Sequence, residues 1–597
     1  MNIRIILPFV FLGGTVLAQV TYDRLLHADK EPQNWLTYSG GYSSHRYSTL
    51  DQINKDNVKD LQMKWVYHPI YQKNSKNQSK MENTPLVVDG IMYTGTALEA
   101  VALDAVTGRE YWKLPHYLDP KAYYNAYEVN KGMAISGDTL FWATIDCHLL
   151  AIDAKTGKVI WDKEMAKWQK GYQYNVAPLV VRNMVILGPA TNEAGANCWV
   201  AAYDVKTGKE LWRFNTAPNS ADDPVAKTWA GDSWKHGGSP IWNGGSYDPE
   251  TNLTFWGTGN PNPGWNGDPR APGDNLYSDS VIALDADTGK LKWYFQFTPG
   301  DEYDWDSTQV PVLADIDWKG RKRKVMLWAN RNGFFYVLDR TNGEFLMGKP
   351  FVKQNWALGL DKNGRPIKDP ARWPKKMGGQ YVEPASQGGT NWYPPSFSPE
   401  TGFFYLSTWT NYGGISDKGD PGKWVEGQRY TGTGPRKPLP PGAPRPGRGI
   451  PNYKTEAEGY GAIQALDPKT GAKEWEFKMV NYTECGVLST AGDLVFGGGM
   501  DGDFVALNAH TGELLWHAYL GGPNASGPIT YSVNGKQYVV GTGEGTMYLF
   551  ALPDEPLFLT SSKWLSLCTG NLRAPASRRQ RTSKLVDLLG RLRKPPL

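Results

Sequence analysis

Four cysteines (Cys147, Cys198, Cys485 and Cys568) in 597 residues are too few for a disulfide scaffold. Spacing alone leaves a Cys147–Cys198 pair open. No CxxCH occurs, so no c-type haem is attached to these residues. Beyond the first twenty residues nothing is long and apolar enough to cross a bilayer. P-loop, dinucleotide and Ser-His-Asp signals are missing as well; GTGEG at 541–545 reads as a strand and a turn. Together these gaps exclude a small disulfide-knit domain, an attached haem, a helical membrane span and a nucleotide-binding fold.

The two ends differ from the body. Residues 1–18 read as a secretory signal peptide, with Arg4, the apolar run IILPFVFLGGTVLA and small residues before Gln19; a buried N-terminal strand is the alternative. Cleavage after Ala18 would send the chain to the periplasm. Residues 557–597 hold nine Lys/Arg against one acid, Asp587. The formal charge of +4 therefore hides a tail of +8 and a body of −4. Basic runs attract nucleic acid or anionic surfaces, but a secreted body makes nucleic acid a poor partner. The tail is expected to be disordered and carries no functional assignment.

What the chain does have is a repeat. ALDAVTGREYW at 102–112 returns as AIDAKTGKVIW (151–161), AYDVKTGKELW (202–212), ALDADTGKLKW (283–293), ALDPKTGAKEW (465–475) and ALNAHTGELLW (506–516), with a degenerate VLDRTNGEFL at 337–346. Periodicity of this kind decides the architecture before any local signal. Each copy predicts strand, tight turn, strand: Asp bonds the turn backbone, Gly takes positive φ, and the next strand carries a Trp. A Trp at one place in every repeat predicts a ring wedged between blades with its N–H on backbone. The expected fold is all-β, an eight-bladed β-propeller with tryptophan-docking repeats over 19–556. Its eighth blade is split between KWVYH at 64–68 and QYVVGTGEGTMYLFALP at 537–553, which removes exposed sheet edges.

Long gaps between copies hold the candidate chemistry, since loops on a rigid scaffold carry function. GPATNEAGANCWVAAYD (188–204) contains Glu193, and FWGTGNPNPGWNGD (255–268) presents Asn260. TPGDEYDWDS (298–307) crowds Asp301, Glu302, Asp304 and Asp306, and WANRNGFFYVLDR (328–340) places Arg331 in a turn. Crowded carboxylates with an amide oxygen suit a calcium-like hard cation. Turn capping and a solvated acidic loop would serve equally for any one of these residues.

Taken together, these loops resemble the quinoprotein alcohol dehydrogenases, periplasmic eight-bladed propellers that use pyrroloquinoline quinone (PQQ). The resemblance runs from about Asn34 to Pro553 in the same motif order. It implies metal ligands at Glu193, Asn260, Asp304 and Asp306. Asp304 would be the catalytic base and Arg331 the group on the quinone oxygens. Trp242 in WKHGGSPIWNGGSYDP would be the floor under the cofactor ring, with Glu82, Lys131, Asn175 and Asn391 around its edges. An Asp two positions past the catalytic Asp is similar to the lanthanide-using branch, so Asp306 favours a lanthanide over Ca²⁺ as the single metal. The implied activity is oxidation of a small alcohol to an aldehyde or ketone by hydride transfer to metal-bound PQQ. Electrons would pass to a separate cytochrome c-like acceptor in the periplasm; a homodimer is left open.

Two departures from the family stand out. The adjacent cysteines that wall the quinone are replaced by Asn125-Ala126, leaving Tyr123, Tyr124 and Tyr127 as candidates for that wall. The insert 414–455, rich in Gly, Pro and Arg, would cover the active-site funnel, dock the electron acceptor, or serve as a plain surface loop. Two alternatives stand beside the leading reading. One is a non-catalytic propeller that scaffolds outer-membrane assembly, since the Trp repeats look alike. The other is a quinoprotein acting on polyols, sugars or polymeric alcohols.

Overall fold

The computed structural model describes residues 19–69, 81–119, 121–122, 129–375, 379–433 and 459–554. The signal-peptide and tail expectations, the Asn125-Ala126 stretch with its tyrosines, and the distal half of the insert lie outside the described residues. Seven four-stranded antiparallel sheets, and one of five strands in which Tyr47–Ser48 adds in parallel to Leu488–Thr490, account for most of the rest. Apart from that added strand, seven of the eight run consecutively in sequence. The eighth pairs Gln62–Tyr67 with Thr546–Ala551, so the first long strand becomes the outer strand of the last blade, as expected from 64–68 and 537–553.

The repeat explains itself as a joint. In the turn at 104–109, Asp104 Oδ1 accepts from the Val106 and Thr107 N–H groups and the Thr107 hydroxyl. That arrangement recurs at Asp204 and Asp285. The Trp of one blade lies on the turn Gly of the next: Trp112 on Gly157, Trp161 on Gly208, Trp212 on Gly289, Trp475 on Gly512. Its indole N–H donates to a backbone carbonyl of that same turn, as in Trp212 Nε1 to Ala286 O at 3.0 Å and Trp112 Nε1 to Ala154 O at 2.8 Å. Glycine is required twice over here. At Gly289 φ is +66°, and a Cβ would stand 2.3 Å from the Trp212 ring. Trp65 closes the circle by packing on Gly108. Trp65 and Trp293 pack in the same way without the hydrogen bond. The degenerate fifth copy has no Trp, and Met347 and Lys349 cover Gly471 in its place.

Before the blades begin, residues 35–48 run across the inner strands and close the middle of the ring. Trp35 pairs with Val87, Tyr42 bonds Val180 and Tyr247, and His45 bonds Leu313 and Phe397. Arg46 is fully buried, its guanidinium donating to the Tyr38 and Pro528 carbonyls at 2.7 Å each. The three described cysteines, Cys147, Cys198 and Cys485, are buried and free, so the Cys147–Cys198 pair left open by the sequence does not form.

Candidate active site

In an antiparallel blade the connection entering the innermost strand and the loop between the second and third strands lie on one face. All ten site residues read from the sequence fall in these two kinds of loop. Glu82, Lys131, Asn175, Trp242 and Asn391 stand just before the inner strands Leu86–Val88, Ala134–Ser136, Leu179–Val181, Ser246–Asp248 and Ser396–Phe397. Asp304 and Asp306 precede Val312–Trp318. Glu193, Asn260 and Arg331 sit between the second and third strands of three successive blades. Positions far apart in sequence thus ring one mouth of the propeller.

At the acidic end of this ring, Arg331 is the hub. It is 4 % exposed, donates from Nη1 to Asp306 Oδ2 at 2.6 Å and reaches Asp304 Oδ2 at 3.5 Å. A further bond goes to the Ser386 carbonyl, and its buried Nε has no partner. The other Asp306 oxygen accepts the Asn260 backbone N–H at 2.7 Å. Glu193 Oε2 accepts from the side-chain amides of Asn260 at 3.1 Å and Asn262 at 2.8 Å. Glu193, Asn260 and Asp306 are therefore one connected group, joined to Asp304 through Arg331. Among the described residues no three carboxylate, His or Cys side chains converge on a single point; the set is carboxylate plus amide. Asn192, Glu193 and Asp304 have φ of 41°, 66° and 63°, strain that concentrates at functional loops.

The electrostatics follow from burial. Desolvation pushes Asp304 well above the usual carboxylate range and raises Asp306, against the pull of Arg331. Glu193 is raised by burial and by the Asp306 charge. Burial works against the charge of Arg331, but Asp304 and Asp306 outweigh it and raise its pKa. The other two acids of the 298–307 loop are engaged elsewhere. Asp301 holds the Tyr303 and Trp305 N–H groups at 3.0 and 2.9 Å. Glu302 accepts from Trp373 and pairs with Lys418. Position in sequence did not separate these roles.

Beside these acids the ring is aromatic and cationic, and the Trp242 side chain also bears on Asp306. Trp242 packs against a cluster containing Trp392, Tyr393, Trp409, Tyr412 and Tyr482. Lys131 is buried, with Nζ 3.9 Å from the Trp392 ring centre and 5.4 Å from that of Trp242. It pairs with Glu82 at 2.6 Å, and its backbone N–H bonds the Asn175 carbonyl. Asn175 Oδ1 is buried without a partner. Asn391 is occupied within its own loop, accepting from Trp392 N and donating to Gln387. A buried ammonium over two indoles and an unpartnered guanidinium N–H suit a flat, multiply anionic ring.

Sequence reading missed several contributors. Asn262 was visible in the quoted NPNP stretch, but nothing marked its amide as the second hold on Glu193. Ser386 acts through a carbonyl and leaves no sequence signal. Residues 414–433 of the insert cross the loops at 188–204 and 255–268: Tyr430 N donates to Glu193 O at 2.7 Å, Trp265 N to Thr431 O at 2.9 Å, and Trp424 Nε1 to Ala194 O at 2.9 Å. That part of the insert is a clamp on the loops bearing Glu193 and Asn260. A cleft of about 580 Å³ opens beside Asn262, lined also by Lys235, His236, Pro263 and Tyr430.

Comparison with known proteins agrees with this geometry. Residues 35–349 and 480–539 match the PQQ family described as "Glucose/ethanol/alcohol dehydrogenase, beta-propeller domain". Quinoprotein alcohol dehydrogenase PedH of Pseudomonas putida is 37% identical over 560 residues, covering 90% of this chain and 90% of that protein. Quinohemoprotein alcohol dehydrogenase of Comamonas testosteroni is 38% identical over 93% of this chain and 79% of its own length. The solved europium-containing methanol dehydrogenase superposes with a TM-score of 0.79 at 31% identity, covering 89% of this chain and 100% of that one. This chain belongs to the PQQ-dependent quinoprotein alcohol dehydrogenases.

Proposed function

We propose that this enzyme works in the periplasm, oxidising an alcohol with one lanthanide ion held by Glu193, Asn260, Asp304 and Asp306, and passing electrons to a separate cytochrome c-like acceptor. The observation that carries the reading is the Asp304–Arg331–Asp306 bridge, set on the same face as Glu193 and Asn260. Every carboxylate of that set is anchored by N–H groups, which leaves its remaining lone pairs for a hard cation. Turning the Asn260 amide by half a rotation presents its oxygen in place of its nitrogen.

PQQ held against Trp242 would supply an electrophilic ortho-quinone as the hydride acceptor for the alcohol carbon. The protein supplies the remainder. Asp304 is 18 % exposed on its side chain where Asp306 is 9 %, so Asp304 is the more open carboxylate to take the hydroxyl proton. A base in this position contributes about 10²–10⁴-fold. Asp306, bonded to Arg331 and to the Asn260 N–H, stays in place as an anionic ligand. Arg331 keeps its cationic Nε–H free for an oxygen on the ring, a fixed donor in a dry site. Lys131 would hold an anionic edge of the ring, with Asn175 beside it, and Trp242 would hold the face.

The apolar run before Gln19 supports export. The scaffold alternative is not favoured, because the similar proteins are enzymes. The cleft beside Asn262 supports a second reading of the substrate, a polyol or sugar. The test is dye-linked oxidation by protein prepared without cofactor and given PQQ with La³⁺, with Ca²⁺ or with neither, on ethanol and on a polyol. Activity restored by La³⁺ and not by Ca²⁺ is expected. Restoration by Ca²⁺ alone would refute the lanthanide assignment, and no PQQ binding under any metal would refute the site.

A further inference from the structure

Asn262 is one of two side chains that bond the Glu193 carboxylate, and the mechanism above gives it no task. It is 2 % exposed. Its Nδ2 donates to Glu193 Oε2 at 2.8 Å and to the Tyr430 carbonyl at 3.4 Å. Both partners are acceptors, so the amide can meet them only with its nitrogen. Its oxygen lies against Gly238, where φ is +73° and a Cβ would stand 2.3 Å from Asn262 Oδ1. The Asn262 backbone N–H is tied to the Gly237 carbonyl at 3.1 Å. The amide is wedged in one orientation.

Asn260 is in a different position. Its Nδ2 donates to the same Glu193 oxygen at 3.1 Å, but as a metal ligand it must turn its own oxygen inward. That turn removes one bond from Glu193 and sets two oxygens against each other. Asn262 does not follow, because turning would put its oxygen against both the Glu193 carboxylate and the Tyr430 carbonyl. Among the described residues it is then the one side-chain amide still donating to Glu193. The glutamate backbone is held separately by the insert, through Tyr430 N to Glu193 O at 2.7 Å and Trp424 Nε1 to Ala194 O at 2.9 Å. Tyr430 thus touches the Glu193 backbone with its N–H and the Asn262 amide with its C=O.

We propose that Asn262 is a positioning residue for the metal ligand Glu193, keeping its carboxylate aimed into the site while Asn260 turns to the cation, with Tyr430 of the insert bracing both. The inference rests on the metal assignment proposed above. Groups that orient a ligand without touching the ion are worth about 10–100-fold in metal affinity.

The experiment compares full-length wild type with Asn262→Leu and Asn262→Ala. Neither replacement can donate; Leu keeps the bulk of the side chain, whereas Ala leaves a cavity. Each protein is prepared metal-free and titrated with PQQ present. Tb³⁺ is followed by tryptophan-sensitised luminescence and Ca²⁺ by competition. Decay of the luminescence in H₂O and in D₂O counts the waters on the bound ion. Both variants should bind Tb³⁺ about tenfold to a hundredfold more weakly than wild type, by similar factors. The bound ion should also carry more water, since a displaced Glu193 leaves a coordination position open. Unchanged affinity, unchanged hydration, or a loss confined to the Ala variant would overturn the proposal, the last by showing that Asn262 only fills space. A wild type that binds neither ion would refute the metal site itself. A wild type that prefers Ca²⁺ would refute the lanthanide assignment, while the variant-to-wild-type ratio would still judge Asn262.

Discussion

Replacing Arg331 with Met should destabilise the metal-free protein more than almost any other single change in the mouth of the ring. The guanidinium is buried and lies 2.6 Å from Asp306 and 3.5 Å from Asp304. Removing one partner of a buried pair costs about 3–5 kcal/mol, because it leaves uncompensated charge. Here two carboxylates are stranded, so the upper half of that range applies at pH 8. At pH 5 the cost should fall, since both acids are already raised by burial and take up protons once the cation has gone. Unfolding entropy of about 2.1 cal/mol/K per residue makes 1 kcal/mol worth only about 1 °C in a propeller of this length. Calorimetry of metal-free protein at pH 8 should therefore show Tm lower by about 4–5 °C. The Asp306→Asn/Arg331→Met double variant should recover a large part of that loss, because the pair is coupled. Adding La³⁺ should narrow the gap between Arg331→Met and wild type, as the ion replaces the lost charge. A single variant within 1 °C of wild type at pH 8, or a double variant no better than the single, would refute this electrostatic account.

The remaining predictions concern joints, protons and thiols. Trp212→Phe keeps the ring contact with Gly289 and loses the bond to Ala286, so it should cost about 1 kcal/mol, whereas Trp212→Ala should cost about 3–5 kcal/mol; unfolding calorimetry separates them. Burial pushes Asp301 up to about 6, above its unfolded value of about 3.9. The folded state then holds a proton that the unfolded chain has released, so metal-free protein should lose stability as pH rises from about 4 through 6 and regain it as pH falls; a Tm-versus-pH series without that slope would count against a buried Asp301. Burial pushes the Cys485 thiol up to about 12 and raises those of Cys147 and Cys198. A thiol reagent should leave these three unlabelled in the native protein and label them on unfolding, with no disulfide to reduce.

The fold was legible because the repeat is itself the joint between blades. One string of residues encodes the turn (Asp, Thr, Gly), the wedge (Trp) and the surface that receives it, since the glycine that frees the turn is also the space into which the preceding blade's indole fits. Trp212 and Gly289 are 77 positions apart yet in contact, and each belongs to a copy of the same motif, so long-range packing could be read from local text. The place where the motif weakens, VLDRTNGEFL, is where Met347 and Lys349 replace the indole. The plug formed by residues 35–48 had no such signal. It bonds through backbone carbonyls and single side chains to strands scattered over the whole chain, and no periodicity marks it.

The site divides along the same line. Glu193, Asn260, Asp304, Asp306 and Arg331 lie in loops that interrupt the repeat, at the two loop positions that the topology brings to one face, and the family resemblance singled them out from neighbours such as Asp301 and Glu302. What those loops do to one another could not be read. Asp301 and Asp304 are three positions apart in one acidic run, yet Asp301 turns inward to bond Tyr303 and Trp305 while Asp304 turns toward Arg331. The difference is set by φ of +63° at Asp304, a backbone property that residue type does not announce. Asp279 is the opposite case, an acid in NLYSDSVIALD that reads as a polar residue ahead of a strand. Only the fold shows it buried without a side-chain partner, its backbone tied to Gly259 and Phe297, where burial pushes its carboxyl well above the usual range. Residue type therefore tells which groups could hold a cation, and only the backbone tells which of them are brought together.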